Sequence, residues 1–215
     1  MTKMTLTREG FAKLEEAVKN NPVLENAFRL MTDADLLIRH ERHASALALA
    51  VLATEEIGKY LLSLWQKGDP AFTYNRHKLH RMKQSAVAVL FMAERARRDC
   101  KTNGVDFSDL RTPEKMAHLA RTMKAAIDKE SFFVGSAKSG VIETVKHSGL
   151  YHDEELASKG IGPARINAEN ASELMQKCSR AFMTLTDERN ISLAKEFFSI
   201  LIHKKDAPKH GAEHA

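Results

Sequence analysis

The longest apolar run of the chain, Ala44 to Ala53, is interrupted by Thr54, Glu55 and Glu56 and then by Lys59. That interruption excludes a bilayer span, which needs about 20 continuous apolar residues and tolerates ionised side chains near its middle only at high cost. Apolar residues continue at helical spacing through Ile57, Tyr60, Leu61, Leu64 and Trp65 to Gly68-Asp69-Pro70, where proline cannot extend the hydrogen-bond ladder. A helix that is apolar almost all round belongs at the centre of a protein, covered by other elements. With 215 residues, 43% apolar and 28% charged, the chain is long enough to bury one substantial core. Ten glycines and five prolines are too few for an all-β fold full of tight turns. The expectation is an all-α fold, one helical domain over residues 1–203 with a mobile polar tail at 204–215.

The covering helices can be read from their periodicity. Thr7 to Asn20 carries Phe11, Leu14 and Val18 on one stripe and ends at Asn20-Asn21-Pro22. A second helix starts at Pro22 and ends near the charged cluster Arg39 to His43. After a loop from Gly68 to Asn75, the basic segment Arg76 to Lys83 leads into the apolar turns Val87, Leu90, Phe91 and Ala93 and runs to about Lys101. Thr112-Pro113-Glu114 has the chemistry of a helix start: a hydroxyl cap, a proline whose missing donor costs nothing, and an acid at the positive dipole end. A short helix is expected over Ser136 to His147, followed by an irregular segment from Ser148 to Ile166. Asn167 to His203 reads as one long C-terminal helix with a break at Asn190.

Lysine plus arginine exceed the acidic residues by five, a modest basic excess that suits phosphates or acidic partners without requiring them. The thiols Cys100 and Cys178 have no zinc-site spacing, and the opening MTKMTLTREG has no apolar signal stretch, so reduced cysteines and a cytoplasmic location are expected, with no membrane partner. No Gly-x-Gly-x-x-Gly, Walker or Gly-x-Ser-x-Gly sequence occurs. A ferritin-like di-iron site needs Glu-x-x-His on two helices, and no histidine here has a glutamate three positions before it. His40 with His43, or His77 with His80, lacks the H-E-x-x-H pattern of a zinc hydrolase. Neither a metal nor a cofactor is expected.

Three clusters could carry chemistry. Glu55-Glu56-Ile57-Gly58-Lys59 puts charges into the most apolar helix, where a buried charge needs a partner or a function, although Lys59 is also placed to pair with either acid along the helix surface. His77, His80 and Lys83 follow at three-residue steps on one helical face, beside Arg76, Lys78 and Arg81. Such a face can bind phosphate or exchange protons near neutral pH, or form a solvated basic stripe. Lys146-His147-Ser148-Gly149-Leu150-Tyr151-His152-Asp153 gathers a lysine, two histidines, a phenol and a carboxylate around a glycine that permits close backbone approach, and it could equally be a polar loop closing a helix.

The order of these motifs resembles the AbiV family of abortive-infection proteins, a branch of the HEPN helical superfamily. The resemblance rests on an alanine-rich helix ending in Glu55-Glu56-Ile57-Gly58-Lys59, then His80-Arg81-Met82-Lys83, then Gly149-Leu150-Tyr151 with Asp153, and spans Pro22 to Asp153. It implies a HEPN-like helical bundle and a cytoplasmic homodimer that stops phage development by blocking translation. RNA or a ribosome-associated component would be the target, and a phage protein a candidate activator.

Many HEPN relatives are metal-independent ribonucleases whose R-x(4–6)-H motif joins arginine and histidine at a dimer interface. Here Lys146 and His152 have that spacing with His147 as the polar follower, but lysine lacks the bidentate fork of arginine. Arg111 and His118 also fit the spacing, yet Pro113 places Arg111 before a helix. On the enzyme reading, Glu55 or Glu56 orients Lys59, these with His80, Lys83 and Asp153 line an anion-binding groove, and Lys146, His147, Tyr151 and His152 supply catalysis. On the alternative reading, the same polar cluster is a structural network in a non-catalytic helical dimer that binds a phage or ribosomal component.

Overall fold

The computed structural model describes residues 15–69, 72, 79–102, 104, 121, 124–125, 142, 144, 146–147 and 166–203. Five helices organise them: α1 (Pro22–Arg39), α2 (His43–Gly68), α3 (Leu79–Thr102), α4 (Ala168–Leu185) and α5 (Glu188–His203). Residues 15–19 are also helical, as are 142, 144, 146 and 147. No strand occurs among the described residues, and none of their helices is long and apolar enough to cross a membrane. The start of the first expected helix, the Thr112-Pro113 helix start, most of the irregular segment and the tail from residue 204 lie outside the described residues.

Local chemistry sets the helix ends. Asn21 caps α1, its side-chain oxygen accepting from the backbone N–H groups of Val23 (3.0 Å) and Leu24 (3.3 Å), with Pro22 at the first helical position. At the other end Glu41 adopts a left-handed φ of 59°. Its N–H donates to the Ile38 carbonyl at 3.0 Å and that of Arg42 to the Leu37 carbonyl at 2.8 Å, the paired bonds of a Schellman turn. That turn sends α2 back along α1. Asn167 and Asn170 form a reciprocal capping box that starts α4.

α2 is central, as its sequence demands, packing against α1, α3 and α4. Ala46, Ala50 and Ala53 are fully buried, and these small side chains bring α2 close to α4 beside Ala171 and Cys178. The Cys178 thiol lies 3.0 Å from the Thr54 hydroxyl, and burial pushes its pKa up to about 11, which keeps it protonated and unreactive at neutral pH. α3 is equally central, since every residue from Ala86 to Ala93 is buried between α2, α4 and α5. Trp65, Phe72 and Phe198 close the far end of the core with ring centroids 5.2 to 5.8 Å apart.

The expected long C-terminal helix is two helices. The break falls at Thr186-Asp187, ahead of Asn190. Asp187 receives the Arg189 N–H at 3.0 Å on its side chain and the Asn190 N–H at 2.9 Å on its carbonyl, so it starts α5. Asn190 spans the break, donating to the Thr184 carbonyl at 3.3 Å and accepting from Arg97 at 2.5 Å.

Candidate functional site

The three chemistry-bearing motifs meet at one carboxylate. Glu55 lies on α2 with its side chain only 4% exposed. Its Oε2 is 2.7 Å from His80 Nδ1 on α3. Its Oε1 accepts from Gln84 Nε2 at 3.1 Å and from Lys146 Nζ at 3.4 Å. Lys146 is as buried as its partner, with its side chain 8% exposed. A buried acid is expensive unless charge and hydrogen bonds offset its lost hydration, and these donors supply both.

The local folding follows from residue spacing. His80 and Gln84 are four apart on α3 and therefore share the face turned to α2. Gly58, three residues beyond Glu55, makes the approach possible: a β-carbon there would collide with the backbone carbonyl of Lys83, a group that cannot swing aside. The Glu-Glu-Ile-Gly-Lys motif thus couples a buried acid to a glycine contact that brings α3 within reach of it.

The imidazole differs in one respect from the other groups around Glu55. Its side chain is 56% exposed, so one end of His80 is tied to a buried carboxylate while the ring faces water. With Nδ1–H donating to Glu55, the neutral ring carries its lone pair on Nε2, the tautomer suited to taking a proton from outside. His147, next to Lys146 in the same helical stretch, is also exposed. Arg81 is exposed and Lys83 half-buried on the α3 turn that carries His80, and both contribute positive charge there.

Of the residues singled out from the sequence, Glu55, His80 and Lys146 come together. Glu56 and Lys59 do not join them: they pair with each other at 3.2 Å on the helix surface. The expectation that Glu55 or Glu56 orients Lys59 therefore resolves to Glu56 alone, an exposed contact of a kind worth well under about 1 kcal/mol. Lys83 contributes its backbone carbonyl to the Gly58 contact. His77, Tyr151, His152 and Asp153 lie outside the described residues, as do Arg111 and His118. Sequence reasoning missed Gln84, whose signal was a polar side chain one turn beyond His80 at the edge of a buried apolar run. Its Oε1 is buried with no hydrogen-bond partner among the described residues.

A separate cavity of about 640 Å³ is lined by Leu24, Tyr60, Trp65, Glu188, Ile191 and Lys195, among others, and by none of the Glu55 cluster. Burial, and then the charge of Glu188, raise the Tyr60 hydroxyl above its ordinary pKa. No group of three or more His, Cys, Asp or Glu side chains that could hold a metal occurs among the described residues.

A family model described as AbiV, within the HEPN proteins, matches residues 19–184. The match covers more than half of the chain and extends past Asp153 through most of α4. No curated protein and no solved structure matches the chain.

Proposed function

The chain belongs to the AbiV family of abortive-infection proteins, a HEPN branch, and from that premise we propose that it stops phage development by shutting down translation through metal-independent RNA cleavage. The observation that carries the proposal is the exposed His80 imidazole held at 2.7 Å by the buried Glu55 carboxylate. A histidine positioned in this way is suited to general acid–base work near neutral pH.

In this reading His80 Nε2 takes the proton of a ribose 2′-hydroxyl, and the resulting oxygen attacks the adjacent phosphorus. The bond from phosphorus to the 5′-oxygen breaks, leaving a 2′,3′-cyclic phosphate and a 5′-hydroxyl whose proton comes from a second acid. His147 is the candidate for that acid, with Tyr151, His152 and Asp153 following it in the chain. Arg81 and Lys83 hold the phosphate backbone and offset the charge that develops on it. Lys146 acts differently from the arginine of the HEPN motif. Its ammonium is buried on Glu55, so it is a positioning residue that pairs with the carboxylate and holds it in place. The assembly is proposed as a homodimer in the cytoplasm acting on RNA or a ribosome-associated target, with a phage protein as activator and no cofactor.

End-mapped RNA sequencing after induction of the wild type and of the His147→Ala/His152→Ala double variant, with and without phage, tests the proposal. Discrete new ends with the wild type alone are expected. Translation arrest with unchanged RNA ends, and with the double variant still active, would leave a binding inhibitor in place of a nuclease.

A further inference from the structure

α1 buries Leu24, Ala27, Leu30 and Ala34 and turns a second, exposed stripe away from the protein: Glu25, Phe28, Thr32, Leu36 and Arg39. Phe28 and Leu36 are 49% and 55% exposed, two of the three large apolar side chains so exposed among the described residues. Burying such side chains is favourable, and two on one helical face mark a contact surface more strongly than one alone. Phe28 is also held from below, its ring meeting Phe182 of α4 edge-on at 6.2 Å, which makes it a pre-ordered anchor.

The stripe has a symmetry of its own. Steps of three, four, four and three residues separate its members, so it reads acid, apolar, Thr32, apolar, base and is mirrored in position about Thr32. From this we infer that α1 is a homodimer interface, packing antiparallel against α1 of a second copy with the twofold axis at Thr32. Each residue then faces the one equally distant on the other side of Thr32. Phe28 meets Leu36 of the second copy, and Glu25 meets Arg39, twice each, as an isologous contact requires. A parallel pairing would set Glu25 against Glu25 and Arg39 against Arg39, so charge selects the antiparallel arrangement. The intrahelical pairs of Arg39 with Asp35 and of Arg29 with Asp33 are exposed, weak and exchangeable on docking. An 18-residue helix is about 27 Å long and offers a contact of modest area, so affinity on the order of micromolar is expected.

The inference deepens the two-copy part of the proposed function and is independent of its RNA chemistry. A dimer that cuts no RNA would overturn only the nuclease reading, and an RNA-cutting monomer would overturn the two-copy assembly and this interface while leaving the nuclease reading in place. Sedimentation equilibrium of the full chain through the micromolar range is expected to show a reversible dimer. Leu36→Glu should weaken it on the order of 100-fold while leaving the circular dichroism unchanged. Glu25→Arg and Arg39→Glu should each weaken it, and the two combined in one chain should restore it, because every facing pair is again of opposite charge. Should Leu36→Glu misfold, the charge variants decide alone. A monomer throughout, a dimer indifferent to Leu36→Glu and Glu25→Arg, or a combined variant no better than the single ones overturns the interface.

Discussion

Glu55 and Glu94 are both buried acids on the two central helices, 3% and 8% exposed, yet they differ in what answers them. Glu94 on α3 accepts from Arg180 of α4 at 2.9 Å through Nε and at 2.7 Å through Nη2, and is also met by Arg98. Arg180 lies over the Phe91 ring at 4.6 Å, so the guanidinium is stacked as well as paired. A guanidinium keeps its proton at any pH the fold survives, and this network is therefore a permanent clamp between α3 and α4. Glu55 is answered by an ammonium, an amide and an imidazole whose side chain is more than half exposed. Burial of an acid does not by itself mark a reactive site. What sets Glu55 apart from Glu94 is a solvent-facing imidazole among its partners in place of a second guanidinium.

Substitutions should separate the two regions, and the largest effect is expected at the Glu55 cluster. His80→Ala should lower RNA cleavage by about 100-fold or more, the usual range for a lost general base. Its melting temperature should fall only slightly, because the ring is more than half exposed and water can take its place at the Glu55 carboxylate. Glu94→Gln should do the reverse. It leaves Arg180 without its carboxylate and should cost about 2 kcal/mol in denaturant unfolding, less than a fully buried pair because Arg180 is partly exposed, with cleavage per folded molecule unchanged.

Gly58→Ala sharpens the comparison from the backbone side. The added methyl has to force α3 away from α2, a strain of about 1–3 kcal/mol, and it also pulls His80 off Glu55, so stability and cleavage should fall together. A smaller effect is expected at the turn between α4 and α5, where Asp187 pairs with Arg97 and Arg189. Burial alone pushes the Asp187 carboxyl up, but hydrogen bonds from Arg189 and Arg97 outweigh it and hold the group below its ordinary value. A depressed folded pKa gives stability that is present above the unfolded value near about 4 and lost as the pH falls through the folded one. Urea midpoints measured from neutral to acid pH should therefore fall less steeply for Asp187→Asn than for the wild type.

The sequence made α1, α2 and α3 legible because strong local chemistry punctuates them: Asn21-Pro22 at one start and Gly68-Asp69-Pro70 at one end. It misplaced the α4–α5 break because Thr186-Asp187-Glu188-Arg189-Asn190 offers several polar candidates in a row, and only the cap bonds distinguish Asp187. Glu55 could be suspected from cost alone, an acid in the most apolar helix. Which of Glu55 and Glu56 turned inward could not, since that depends on where α3 packs. Gln84 and Lys146 reach Glu55 across 29 and 91 residues of chain, contacts that no local pattern encodes.

The most direct test uses full-length protein purified from phage-infected cells, incubated with end-labelled single-stranded RNA in the presence of a chelator. Wild type, His80→Ala and Glu94→Gln are compared at equal folded concentration. Wild type and Glu94→Gln should yield fragments ending in 2′,3′-cyclic phosphate, and His80→Ala should not. Cleavage by His80→Ala at the wild-type rate, or wild-type protein that leaves the RNA intact, would contradict the assignment of the Glu55–His80 pair as the reactive site.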